Sequence, residues 1–151
     1  MNNEWDCYFL KIAKVVSIKS KDPSTKHGCV IVGPSHEIRT TGYNGFPRGI
    51  KDDYRYNDRQ IKYMYAEHSE RNAIYNAAKH GISLEGCTLY VTGTPCHDCC
   101  RGIIQSGIVR VVMLKDPESF YDRWKDSIDC TLKMFNETKI EYEYLEETFL
   151  I

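Results

Sequence analysis

The sequence predicts an α/β fold of three layers, α-β-α, built on a five-stranded mixed sheet. Two observations carry that prediction. From residue 69 onward, helical and strand-like segments alternate strictly, the pattern of parallel pairing through right-handed crossovers. Ahead of them, two strand-like runs separated by a short turn read as an antiparallel hairpin, so the first two strands are expected antiparallel and the last three parallel. A length of 151 residues at 42% hydrophobic content suits one domain, residues 1–151, with a core of its own.

Each element has a local reason. Residues 4 to 18 place Trp5, Tyr8, Phe9, Ile12, Ala13 and Val16 on one helical face, and "SKDPST" ends that helix. "HGCVIVG" and "EIRTTGYNG" follow as strands joined by the turn "GPSH". Residues 47–62, "PRGIKDDYRYNDRQIK", are polar and poor in aliphatics, and read as a long functional excursion. A helix over 69–80 carries Ala73, Ile74, Ala77 and Ala78 and stops at Gly81. Strand "CTLYVT", a helix from Cys96 to Ser106, strand "VRVVML", a helix near 122–136 and strand "IEYEYL" complete the chain. Neither internal repeats nor low-complexity tracts interrupt it.

Composition narrows the partners. The net charge is −1 and no Lys/Arg block exceeds two residues, so no nucleic-acid partner is expected. The N-terminus lacks the basic flank and apolar centre of a signal peptide, and no run of 18 apolar residues exists; a soluble cytoplasmic protein with no membrane partner is the expectation. Seven cysteines is an odd number, and three crowd into "TPCHDCC", which suits metal or thiol chemistry better than disulfides. Cys7, Cys29, Cys87 and Cys130 sit in apolar patterns and read as small buried hydrophobes.

Cys96 and Cys99 are spaced i, i+3 at a helix start, with Pro95 suited to the first turn, so both sulfurs can face one point. Alone, this pair could be a redox couple, half a zinc knuckle, or chance. No second Cys-x-x-Cys and no His-x-x-x-His completes a knuckle, which leaves His68 as the nearby nitrogen donor. His68 and Glu70 would point to different sides in mid-helix, so His68 must sit at the helix end to share a site with Glu70. Otherwise the two are a solvated surface pair. "TGTPCHDCC" follows the strand 88–92 directly, which puts its cysteines at the C-terminal edge of the parallel strands, where ligands of open α/β sheets bind, and His68 and Glu70 open the preceding helix, so the two motifs are expected to be neighbours.

One His and two Cys are the count for a catalytic zinc that keeps its fourth position open. His97 and Cys100 lie roughly 100° round the helix from Cys96 and Cys99 and should point away. Glu70 is then free to move a proton.

At these motifs the chain resembles the cytidine deaminase-like zinc deaminases, whose signature is His-x-Glu followed by Pro-Cys-x-x-Cys. Here it reads His68-Ser69-Glu70 and Pro95-Cys96-His97-Asp98-Cys99. Within that superfamily the chain is most similar to the deoxycytidylate (dCMP) deaminase branch, through "SKDPSTKHGCVIVG", "TTGYNGFPRG", "EHSERNAIYNAAKHG", "GCTLYVTGTPCHDCC" and "RGIIQSGIVRVV". A bacteriophage-type member working in the host cytoplasm fits that pattern. Ser69 departs from it only in standing where Ala is commoner.

The resemblance implies a cytidine deaminase-like fold and zinc-dependent hydrolysis of dCMP to dUMP and ammonia, feeding dTMP synthesis. Zinc would activate water for attack at C4 while Glu70 protonates N3 and then the departing amine. It further implies that the Ser69 amide and the carbonyl near Thr94 read the pyrimidine edge. Asn44 would meet the sugar 3′-hydroxyl, or be a turn residue. Lys21, Ser24 and Lys26 would hold the 5′-phosphate, or form a solvated charge run; Tyr121 would touch the phosphate, or pack. Members of the branch are typically homohexamers activated by dCTP and inhibited by dTTP, with Mg2+ on the phosphates. Asn44, Gly45, Arg48 and Lys79 are the candidates for that effector site. The rival readings are another deaminase of the same fold, acting on transfer-RNA adenosine or free cytosine, and a non-catalytic zinc-stabilised interaction domain that would have no use for Glu70.

Overall fold

The computed structural model describes residues 4–150. Five strands, β1 (Gly28–Val32), β2 (Ile38–Tyr43), β3 (Thr88–Val91), β4 (Arg110–Leu114) and β5 (Glu141–Leu145), form one sheet in the order β2-β1-β3-β4-β5. β1 runs antiparallel to both of its neighbours, whereas β3, β4 and β5 are parallel. The hairpin and the parallel half thus stand as the sequence predicts.

Helix α1 (Glu4–Ser17) covers one face, setting Phe9, Leu10 and Ala13 on Val30, Val32, Tyr90, Val112 and Leu114. The other face is covered by α3 (Ser69–His80), α4 (His97–Gln105) and α5 (Glu118–Thr138), over Cys29, Ile31, Leu89, Val91, Val111 and Met113. Covered on both sides, β1 is buried at all five positions, which is why "GCVIV" does not alternate.

Several expectations need correction. The buried stripe of α1 is Asp6, Phe9, Leu10, Ala13 and Ser17, a rotation away from the apolar face that the sequence displays. Asp6 enters the interior because Arg110 grips both its carboxylate oxygens at 2.8 Å and the Tyr90 hydroxyl donates to it at 2.9 Å. Trp5, displaced outward, stacks on His36 with ring centroids 4.3 Å apart. Helix α5 begins at Glu118, ahead of the expected 122, with Pro117 at its N-cap position accepting at its carbonyl from the Phe120 and Tyr121 amides; a non-helical Trp124 (φ −111°, ψ 16°) marks the kink between its two segments. Cys130 is exposed and Cys7 half-buried, whereas Cys29 and Cys87 are buried as expected.

The excursion after β2 is not structureless. It holds a 3-10 turn (Tyr54–Asn57) and helix α2 (Arg59–Tyr65), whose N-caps Asp53 and Asp58 accept from the Arg55 and Ile61 amides. Between β2 and α3 the contact is backbone to backbone. A Cβ on Gly42 would lie 2.3 Å from both Ala73 N and Ser69 O, so glycine at that position sets how closely the first turn of α3 approaches the sheet.

Candidate metal centre and active-site edge

His68 is the N-cap of α3 and keeps extended backbone (φ −82°, ψ 157°), so its ring leaves the helix end while Glu70 lies within the first turn. Cys96 is likewise the N-cap of α4, extended at φ −69°, ψ 168°, and accepts from the Cys99 amide at 3.5 Å. Arg71 ties the two helix ends together: its guanidinium donates to Glu67 at 2.5 Å and lies 3.8 Å from Asp98. Both helices therefore aim the positive ends of their dipoles at one spot.

The donor atoms of His68, Cys96 and Cys99 lie within 4.8 Å of one another, and among the described residues they are the group that could hold a metal ion. His68 Nδ1 is 3.4 Å from Cys96 Sγ and 3.5 Å from Cys99 Sγ. Tetrahedral zinc, with bonds of about 2.0–2.1 Å to nitrogen and 2.3 Å to sulfur, sets such atoms about 3.6 Å apart. The donor set fits that ion. Cys100 and His97 turn away, as their helical angles require: Cys100 Sγ lies 3.6 Å from the Thr131 carbonyl, and His97 Nδ1 is 2.8 Å from Ser127 Oγ.

The electrostatics favour one anionic sulfur, that of Cys96. A hydrogen bond from Cys99, aided by His68, holds the Cys96 thiol down at about 3. The same contact with Cys96, then burial, then Glu70, pushes the Cys99 thiol up. His68 is raised, first by its hydrogen bond to Cys96. Glu70 is buried at 5% exposure beside this group, and Ser69, fully buried, donates its hydroxyl to Glu70 Oε1 at 2.6 Å.

A cleft of about 430 Å³ opens at the same sheet edge, where β1 begins and β3 and β4 end. Lys26, His27, Lys115, Phe120 and Arg123 line it. Lys21 and Ser24 are exposed and Tyr121 bonds Asp129 at 3.3 Å, so of the four expected phosphate contacts Lys26 alone borders the cleft. Thr94 gives its amide to Asp116 at 3.0 Å and its hydroxyl to the same carboxylate. Asn44 accepts from the His27 amide at 2.8 Å and donates to the Thr25 carbonyl at 2.9 Å, so its side chain holds the loop before β1. Gly45 pairs by backbone with Glu67, next to His68, while Arg48 bonds Asn76 on α3, one turn before Lys79.

Arg123, His27 and Lys115 were not singled out by sequence reasoning. Arg123 had a readable signal in its i, i+3 spacing from Phe120; the other two had none beyond standing at strand ends.

Residues 3–115 match the family model of the cytidine and deoxycytidylate deaminase zinc-binding region. An uncharacterized deaminase from the luxG 3′ region of Aliivibrio fischeri is 38% identical over 145 residues, 96% of each chain. Deoxycytidylate deaminase of Homo sapiens is 39% identical over 134 residues, 85% of this chain and 71% of that one. Among solved structures, dCMP deaminase from the cyanophage S-TIM5 in complex with dCMP and dUMP superposes with a TM-score of 0.76 at 25% identity, over 96% of this chain and 99% of that one.

Proposed function

The chain belongs to the cytidine and deoxycytidylate deaminase family, and from that membership we propose that it hydrolyses dCMP to dUMP and ammonia. One observation carries the reading. Glu70 is a buried carboxylate beside a complete His-Cys-Cys donor set that does not need it as a ligand. A structural zinc site has no use for such an acid; a hydrolytic one requires a proton carrier there.

A zinc ion on His68, Cys96 and Cys99 would supply the Lewis acidity that makes water nucleophilic near neutral pH. Glu70 accepts one proton from the attacking water and passes it to N3 of the pyrimidine, then takes the second from the hydroxyl formed at C4 and delivers it to the amine as the C4–N bond breaks. Ser69 Oγ fixes the carboxylate for these transfers. The Ser69 amide and the Thr94 carbonyl take the pyrimidine edge, with Thr94 braced by Asp116. Asn44, already oriented by Thr25 and His27, is assigned the sugar 3′-hydroxyl. The cationic cleft, with Lys26 and Arg123, is assigned the 5′-phosphate.

The same reading extends to regulation and assembly. Arg48 and Lys79, with the backbone of Asn44 and Gly45, are assigned to a triphosphate effector, dCTP as activator and dTTP as inhibitor, carried with Mg2+. Exposed Tyr54 and Met64, at 72% and 78%, support a homo-oligomer, with the hexamer of the resembled branch as its proposed form. No helix among the described residues is long and apolar enough to cross a membrane, and the cytoplasm is the proposed location.

The deciding experiment measures ammonia release from dCMP, CMP, deoxycytidine and an adenosine-containing RNA hairpin. The expected preference is dCMP, and release from the hairpin alone would move the protein to the rival deaminase class. Glu70→Gln should keep one zinc per chain and lose about three or more orders of magnitude in turnover.

A further inference from the structure

Lys62 is a lysine with almost no access to water. It lies in the short helix α2 at 9% exposure, and its Nζ sits 3.3 Å from each carboxylate oxygen of Asp22, itself 5% exposed. A charge pair buried this far persists only where the surroundings fix both partners. What Asp22 does with its remaining capacity is informative. Its Oδ1 accepts from the Ser24 amide at 2.8 Å and the Thr25 amide at 3.3 Å, and its own amide donates to Ser20 Oγ at 3.2 Å. Ser20 in turn donates to the Asn44 carbonyl at 2.8 Å, and its carbonyl receives Lys26 Nζ at 2.7 Å. The loop that brings Thr25, Lys26 and His27 to the cleft is thus folded around one carboxylate, and Lys62 is the counter-charge that holds it.

We propose that Lys62 is a positioning residue for nucleotide binding: it fixes Asp22, and through Asp22 the loop 20–27, so that Lys26 and His27 face the cleft in one arrangement. This rests on the assignment of the cleft to the 5′-phosphate. Lys62 turns its ammonium to Asp22 and, among the described residues, pairs with neither the donor triad nor Glu70, so its effect falls on binding rather than on proton transfer. Removing its charge leaves Asp22 buried and unpaired, and the loop relaxes toward water to solvate it. Substrate must then reorder the loop when it binds, which raises KM and leaves kcat in place.

The test uses the zinc-loaded full chain as wild type, Lys62→Met and Lys62→Arg, with dCMP kinetics and amide hydrogen exchange read together. Lys62→Met should raise KM for dCMP by about tenfold with kcat within about twofold, and Lys62→Arg should recover part of the loss. Exchange should quicken at residues 20–27 in Lys62→Met while residues 69–80 keep wild-type protection. Wild-type exchange at residues 20–27 in Lys62→Met, a fall in kcat at constant KM, or joint loss of protection in both segments would each overturn the positioning role, the last because it marks a purely structural lysine. A wild-type chain that binds zinc but releases no ammonia from dCMP overturns the proposed function itself, and this inference with it.

Discussion

Cys99 and Cys100 are adjacent on α4 and both fully buried, yet a single residue step round the helix separates their chemistry. The roughly 100° between successive residues sends Cys99 Sγ to within 3.5 Å of His68 Nδ1 and Cys100 Sγ to 3.6 Å from the Thr131 carbonyl. Burial raises the Cys100 thiol to about 12, which suits a protonated donor to that carbonyl and not a ligand. Metal analysis of purified variants should therefore find about one zinc per chain in Cys100→Ser, whose hydroxyl can still donate to Thr131, and little in Cys99→Ala. Retention in Cys99→Ala with loss in Cys100→Ser would transfer the ligand role to the neighbouring residue.

At the scale of elements, α1 is held on the sheet by a charge as well as by its apolar stripe. Burial by itself would raise the Asp6 carboxyl, but hydrogen bonds from Arg110 and Tyr90 outweigh it and leave the carboxyl below its ordinary 3.8. A folded-state value lower than the unfolded one gives stability that is complete above the unfolded value and is lost as the pH falls through the folded one. Urea unfolding should thus show wild type losing stability more steeply than Asp6→Ala as the pH drops below about 4. Near neutral pH, Asp6→Ala should cost about 3 kcal/mol, the low end for breaking a buried pair, because Arg110 keeps Glu143 at 3.1 Å. A wild-type curve parallel to that of the variant would remove Asp6 from the acid response. This pair also shows where sequence reading stops. The alternation of strands and helices is local and was legible, as was His68 at a helix end, since Gly81 and the alanine spacing bound that helix from within. Asp6 lies 104 residues from Arg110, and no local pattern marks it as buried. Helix α2 hid because its seven residues make only about two turns, too few to establish an apolar period, and the Asp58 cap is its clearest local sign.

On the scale of the whole molecule, the loop after β2 touches everything a regulator would need to move. Asn44 grips residues 25 and 27 at the cleft, Gly45 pairs with Glu67 beside the first donor residue, and Arg48 reaches Asn76 on the helix that carries Glu70. Asn76 also donates to the Thr41 carbonyl at 2.7 Å, so the loop, β2 and α3 form one hydrogen-bonded body. A triphosphate that drew Arg48 away from Asn76 would act at once on the loop proposed to meet the sugar and phosphate and, through α3, on the helix whose opposite end is capped by His68. Such an effector changes turnover only by favouring one arrangement over another, through contacts that differ between them. Arg48→Glu removes the cation that would grip the phosphates and repels them instead. Its dCMP turnover measured against dCTP and dTTP should lose about tenfold or more in effector sensitivity, while zinc content stays at the wild-type level. If the variant answers both triphosphates as the wild type does, Arg48 is removed from the proposed effector site, while Asn44 and Gly45 still tie the loop to residues 25 and 27 and to Glu67.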